Sequence, residues 1–92
     1  MKFVLNKCYG GWSLSNFAME TLGVTDRYAD LSPEQIDTLA ELIEEHGSEA
    51  CSGPSAKLTV VEIPDTFTDY KISDYDGVEM LTFVIDGKIY FA

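Results

Sequence analysis

Positive charge is what this chain has least of. Five lysines and one arginine, Arg27, stand against sixteen Asp and Glu, for a net charge of −10. Such a surface repels phosphate backbones, which argues against direct, sequence-independent binding to DNA or RNA, and it disfavours anionic membrane surfaces for the same reason. Histidine is equally scarce. His46 is alone, and with only Cys8 and Cys51 beside it there is no Cys/His cluster for zinc. No apolar run approaches the roughly 20 residues of a membrane span. The apolar start Phe3-Val4-Leu5 gives way at once to Asn6-Lys7, too short for the core of a signal peptide. The expectation is therefore a cytoplasmic protein with both thiols reduced. Repeats and low-complexity segments are missing as well.

What is present suffices for a packed interior. Of 92 residues, 46% are hydrophobic and 12% aromatic, which fits one domain spanning 1–92. Residues 2–9, KFVLNKCY, are apolar enough for a strand buried on both faces, with Val4, Asn6 and Cys8 on one side and Phe3, Leu5, Lys7 and Tyr9 on the other. Ser15 is a good N-cap for a short helix, with Leu14 and Met19 placed as a hydrophobic staple and Gly23 as its stop. Ser32-Pro33-Glu34-Gln35 opens a second helix with a capping box and a proline at the first helical position. That helix ends at Gly47 or continues through SEAC to Gly53, the longer form being favoured. KLTVVEI (57–63), YKISDY (70–75), VEMLTFVI (78–85) and KIYF (88–91) then read as strands. Asp76-Gly77 and Asp86-Gly87 mark two-residue hairpins. The order β-α-α-β-β-β-β predicts an α+β fold: a single two-layer domain, a mixed sheet of four to five strands with two helices on one face. A helical crossover would set the first strand parallel to KLTVVEI.

The densest cluster of chemistry-bearing residues is NKCYGGWSLS (6–15). A strand running into Gly-Gly and a helix start can gather backbone N–H groups around an anion. On that reading the amides of Gly10, Gly11, Trp12 and Ser13 hold phosphate, and Trp12 or Tyr9 stacks on a base. Lys7 or Arg27 supplies charge, and Asn6 and Ser15 complete the set. The same residues also make a plain tight turn, with Trp12 capping the core and Lys7 reaching to solvent. Cys8 as a nucleophile needs a base, and nothing in the sequence brings His46 to it. Asp74, Asp76 and Glu79 in DYDGVE resemble part of a calcium loop but lack the remaining ligands. No catalytic group, metal site or cofactor is predicted, and a non-enzymatic protein is the expectation.

The second helix offers another surface. Glu34, Asp37, Glu41, Glu44 and Glu45 fall along it with no Lys or Arg among them. Like charges at this spacing cost a few tenths of a kcal/mol per pair. The arrangement reads either as a solvated face or as an imitation of spaced phosphates aimed at a basic partner.

Three stretches carry a resemblance. NKCYGGWSLS, AKLTVVEIPD (56–65) and YKISDYDGVE (70–79), in that order, resemble a family of small uncharacterised phage and prophage proteins. Its members open with N-[KR]-C-[YF]-G-G-[FW]-x-L-S and continue to an acidic helix, a VVEIPD strand and a Tyr-Asp-Gly hairpin. The chain departs from that pattern at Asp30-Leu31-Ser32-Pro33, where a basic residue and Asp-Pro are expected, and at its GKIYFA end, where basic aromatic residues are expected. The resemblance implies an accessory protein of the host bacterial cytoplasm, acting in counter-defence by binding. Two functions follow as expectations: capture of a nucleotide-like ligand at the Gly-Gly corner, with a homodimer possible, or acidic inhibition of a nucleic-acid-handling host protein such as a nuclease.

Overall fold

The computed structural model describes residues 1–92. Its elements are β1 (Lys2–Asn6), α1 (Asn16–Leu22), α2 (Pro33–His46), α3 (Ser48–Cys51), β2 (Leu58–Glu62), β3 (Asp69–Tyr75), β4 (Val78–Ile85) and β5 (Lys88–Phe91). The α+β class holds. None of the helices is long and apolar enough to cross a membrane.

The local signals act as their chemistry dictates. Ser15 accepts the N–H of Ala18, and Gly23 ends α1 in the left-handed conformation. Ser32 and Gln35 close a full capping box on α2. The longer form of that helix does not occur: Gly47 adopts φ 90° and ψ 158°, far from helical values, and SEAC restarts as the separate turn α3. Both Asp-Gly pairs make the expected hairpins, with Tyr75 facing Val78 and Ile85 facing Lys88.

The strands do not join into one mixed sheet of two layers. They form two antiparallel sheets, β1-β2 and β3-β4-β5. β1 and β2 run antiparallel, not parallel, with Phe3 opposite Val61 and Leu5 opposite Thr59. The reason lies beyond the strands. Lys7 N–H bonds the Lys57 carbonyl, Leu14 bridges Ser52, Gly53 N–H bonds the Ser13 carbonyl, and Ser15 N–H bonds the Cys51 carbonyl. The helical segment therefore closes on itself at 15–51 and acts as the wide loop of one long irregular hairpin. A hairpin of any loop length returns its chain antiparallel.

β1 lies between two cores, which makes three layers. Val4 joins Leu14, Leu39, Ala40, Ile43, Cys51 and Leu58 on the helical side. Phe3 and Leu5 join Ile63, Leu81 and Phe83 on the meander side. Of the stretch KFVLNKCY read as a strand buried on both faces, only Lys2–Asn6 is strand, and there the two-sided burial is present; Lys7 and Cys8 are half-buried and Tyr9 is exposed. Each side of β1 is covered by a different part of the chain.

Candidate functional site

The Gly-Gly corner is a joint within the protein. Gly10 N–H donates to the Asp76 carbonyl at 3.3 Å, so the tip of the β3–β4 hairpin occupies the turn. A Cβ on Gly77 would collide with the backbone of Gly10 and Gly11, and one on Gly10 would meet Ser55 at 2.6 Å. With φ of 122°, 94° and 90° at Gly10, Gly11 and Gly77, glycine is required at all three by conformation, and at Gly10 and Gly77 by close approach as well.

Asn6 fixes the joint. It is fully buried. Its side-chain amide donates to the Cys8 carbonyl at 2.8 Å and to the Gly77 carbonyl, and its oxygen accepts the Lys57 N–H at 2.8 Å. Its own N–H donates to Glu79 Oε1 at 2.8 Å. One side chain thus ties β1 to β2 and to the meander, with every polar atom satisfied. Lys7 extends the same brace, its ammonium bonding the Glu79 carbonyl at 2.9 Å and the Ala92 oxygen at 3.3 Å.

The other residues of the sequence-predicted set scatter. Ser13 is buried, its Oγ 3.4 Å from the Pro54 carbonyl. Ser15 Oγ caps α1 and donates to the Ala50 carbonyl at 2.7 Å. Arg27 reaches Asn16 Oδ1 at 3.3 Å, and its carbonyl accepts the Leu14 N–H. Tyr9 is exposed and lines a different depression from Trp12, one shared with Tyr75, Val78 and Met80. The amides of Gly11, Trp12 and Ser13 donate to no protein group. Cys8 Sγ has the Tyr9 carbonyl as its neighbour at 3.4 Å, whereas His46 pairs with Glu45 and the Phe17 ring, so thiol and imidazole are not brought together. Neither Cys8 nor Cys51 is in a disulfide. Asp74 accepts the Gly77 N–H at 2.8 Å within the turn.

Trp12 does line a depression, of about 320 Å³, together with Tyr28, Asp30, Leu31, Ile36 and Glu79. Leu31 and Ile36 also line a larger apolar groove of about 610 Å³ that runs past Phe3 to Phe67, Tyr70 and Ile72. Of the residues lining the depression only Trp12 belongs to the set expected from sequence; Tyr28, Asp30 and Glu79 do not. Burial pushes the Glu79 carboxyl above the ordinary range and the Asp74 charge adds to that, while the Asn6 N–H bond and the Lys7 ammonium pull it down. The period of two in VEMLTFVI was the available signal, since it places Glu79 on the inward face with Leu81 and Phe83.

The acidic residues of α2 lie at the protein surface. Glu34, Asp37, Glu41, Glu44 and Glu45 are all exposed. Glu44 is paired to the Lys2 ammonium at 2.6 Å, and the other four have no Lys or Arg partner. Compared with known protein families, with curated proteins and with solved structures, the chain matches none.

Proposed function

We propose that this chain is a non-enzymatic binding protein that sequesters a small nucleotide-like ligand, held by its base and not by its phosphate. The observation that carries this reading is the make-up of the Trp12 depression. Two aromatic side chains, Trp12 and Tyr28, stand with two carboxylates, Asp30 and Glu79, and no Lys or Arg lines it. Stacking a base on an aromatic ring is worth about 1–3 kcal/mol. An ionised carboxylate is an acceptor only, so Glu79 selects a ring edge that presents N–H and amino donors, as guanine does. The volume, about 320 Å³, suits one base and not a dinucleotide. A phosphate sits in solvent, away from the carboxylates. The resemblance to phage and prophage proteins supports a counter-defence setting in the host cytoplasm.

The test is a thermal-shift titration with guanosine and its monophosphate. A ligand at a hundred times its dissociation constant adds about 2.7 kcal/mol, which raises the midpoint of so small a domain by roughly 10 °C. The base-held reading requires the nucleoside to shift the protein at least as far as the nucleotide. Glu79→Gln keeps an oxygen for the Asn6 N–H and removes the shift. No shift with any nucleoside, or a shift only with phosphorylated ligands, refutes the reading.

A second reading, inhibition of a basic nucleic-acid-handling protein, is favoured by the four exposed carboxylates on α2 that have no Lys or Arg partner. It predicts that Asp37→Lys with Glu41→Lys abolishes partner binding and that binding weakens steeply with salt. Those changes leave guanosine binding intact.

A further inference from the structure

β5 is an outer strand of the meander with an exposed, mostly apolar sequence. Leu81 and Ala92 exchange both backbone hydrogen bonds, at 3.1 and 2.8 Å. By the alternation of an antiparallel ladder, Tyr90 and Lys88 also turn their backbone groups toward β4. Ile89 and Phe91 therefore turn theirs outward, to an edge with no neighbouring strand. Their side chains, 63% and 70% exposed, share the outer face of the meander. Tyr90 lies on the inner face, stacked on Phe83 at 5.5 Å and 20°. Phe83 faces Tyr70 across β3–β4, and Tyr70 packs on Phe3 at 5.0 Å. A row of aromatic rings thus runs across the sheet and stops at the edge.

Natural edge strands are blunted by charge, proline or a bulge. β3, the other outer strand, carries Asp69, Lys71 and Asp74, whereas β5 (KIYF) carries Lys88 alone. Residues 86–92 hold one Asp and one Lys, a local balance of zero in a chain of net charge −10. Two acidic copies meeting there add little repulsion from the edge itself.

We propose that β5 pairs antiparallel with β5 of a second copy, about a two-fold axis at Tyr90, joining two meanders into one six-stranded sheet. In this register Ile89 and the partner's Phe91 satisfy each other's outward backbone groups and pack together on the outer face. The aromatic row runs unbroken from Tyr70 through Phe83 and Tyr90 to the partner's Tyr90, Phe83 and Tyr70. The two Lys88 side chains stand at opposite ends of the joint, four residues or roughly 13 Å apart along the strands, beyond a Debye length of about 8 Å.

Sedimentation equilibrium of the full chain tests this, with an expected mass of twice 10.2 kDa. Ile89→Pro removes an outward N–H without touching the β4–β5 ladder and halves the mass while the circular dichroism spectrum stays that of the folded protein. The register is tested separately. Tyr90→Cys places two thiols on a directly opposed pair, with Cα atoms about 4.5 Å apart, within disulfide reach. It crosslinks under mild oxidation, whereas Lys88→Cys and the unmodified chain do not. This second test decides the matter if Ile89→Pro does not fold. A monomer at every concentration overturns the proposal. So does a dimer that survives in folded Ile89→Pro, or one that crosslinks through Lys88→Cys and not Tyr90→Cys.

Discussion

The helical side of the molecule and the meander are held to β1 by unequal means. On the helical side nine buried residues from α1, α2, α3, β1, β2 and adjoining loops form one cluster. On the other, the meander contributes only Leu81 and Phe83, both from its central strand, to a cluster of five. Every residue of β3 and β5 is exposed. Part of what the meander lacks in buried area it has in polar fastening, through the Asn6 side chain, the Lys7 brace and the Gly10–Gly11–Gly77 contact. An apolar core tolerates some repacking, whereas a joint of hydrogen bonds and backbone contacts fits in one way.

The strongest way to break this contrast is a matched pair of leucines, Leu39 and Leu81, both fully buried. Each change to alanine costs about 2–5 kcal/mol. Leu39→Ala lowers a single cooperative transition. Leu81→Ala releases the meander first, so the Tyr70 and Tyr90 near-ultraviolet signals are lost in urea before the helical far-ultraviolet signal.

A matched pair of glycines sharpens the same contrast with a smaller effect. Gly77 and Gly87 hold equivalent turn positions at φ 90° and 76°, so alanine is strained at both, by about 1 kcal/mol. Only at Gly77 does the new methyl meet the Gly10–Gly11 backbone; at Gly87 it meets open space. Gly77→Ala therefore exceeds Gly87→Ala by about 2 kcal/mol or more in chemical denaturation. Equal costs mean that the corner is not a joint.

The smallest effect is a dependence on pH. The Glu79 carboxyl is raised by burial in the folded protein. A raised acid contributes stability that is full below the ordinary Glu range and is lost as pH rises through the folded value. Solvent reaching this half-buried group weakens the effect. Glu79→Gln, neutral throughout, gains on the unmodified chain as pH rises from the ordinary Glu range through the folded value. The proposed binding of a base has the opposite preference, since it needs the ionised carboxylate, and predicts an affinity that rises over the same interval.

Elements whose cause is local were legible from sequence. The Ser15 and Ser32 caps, the Gly23 stop and the two Asp-Gly hairpins each depend on a few neighbouring residues and occur as read. The antiparallel return of β2 onto β1 was not legible, because it depends on Ser13 and Leu14 meeting Ser52 and Gly53 across the helices. No residue type marks that meeting in advance. The Gly-Gly corner shows the same limit from the functional side. Glycines before a helix announce that something will approach the backbone closely, but not whether a phosphate or the protein's own hairpin will do so. Asn6, an obvious ligand-binding residue type, is buried as a fastener for the same reason.

The two-sided burial of β1 has a consequence for the order in which the protein is made. Phe3, Val4 and Leu5 leave the ribosome ahead of both of their covers: the helical side needs residues up to Leu58, and the meander side needs Leu81 and Phe83. At about 5–20 residues per second, that leaves a bare apolar strand for several seconds of synthesis. Lys2 and Lys7 flank it, charges of the kind that hinder an exposed apolar strand from aggregating.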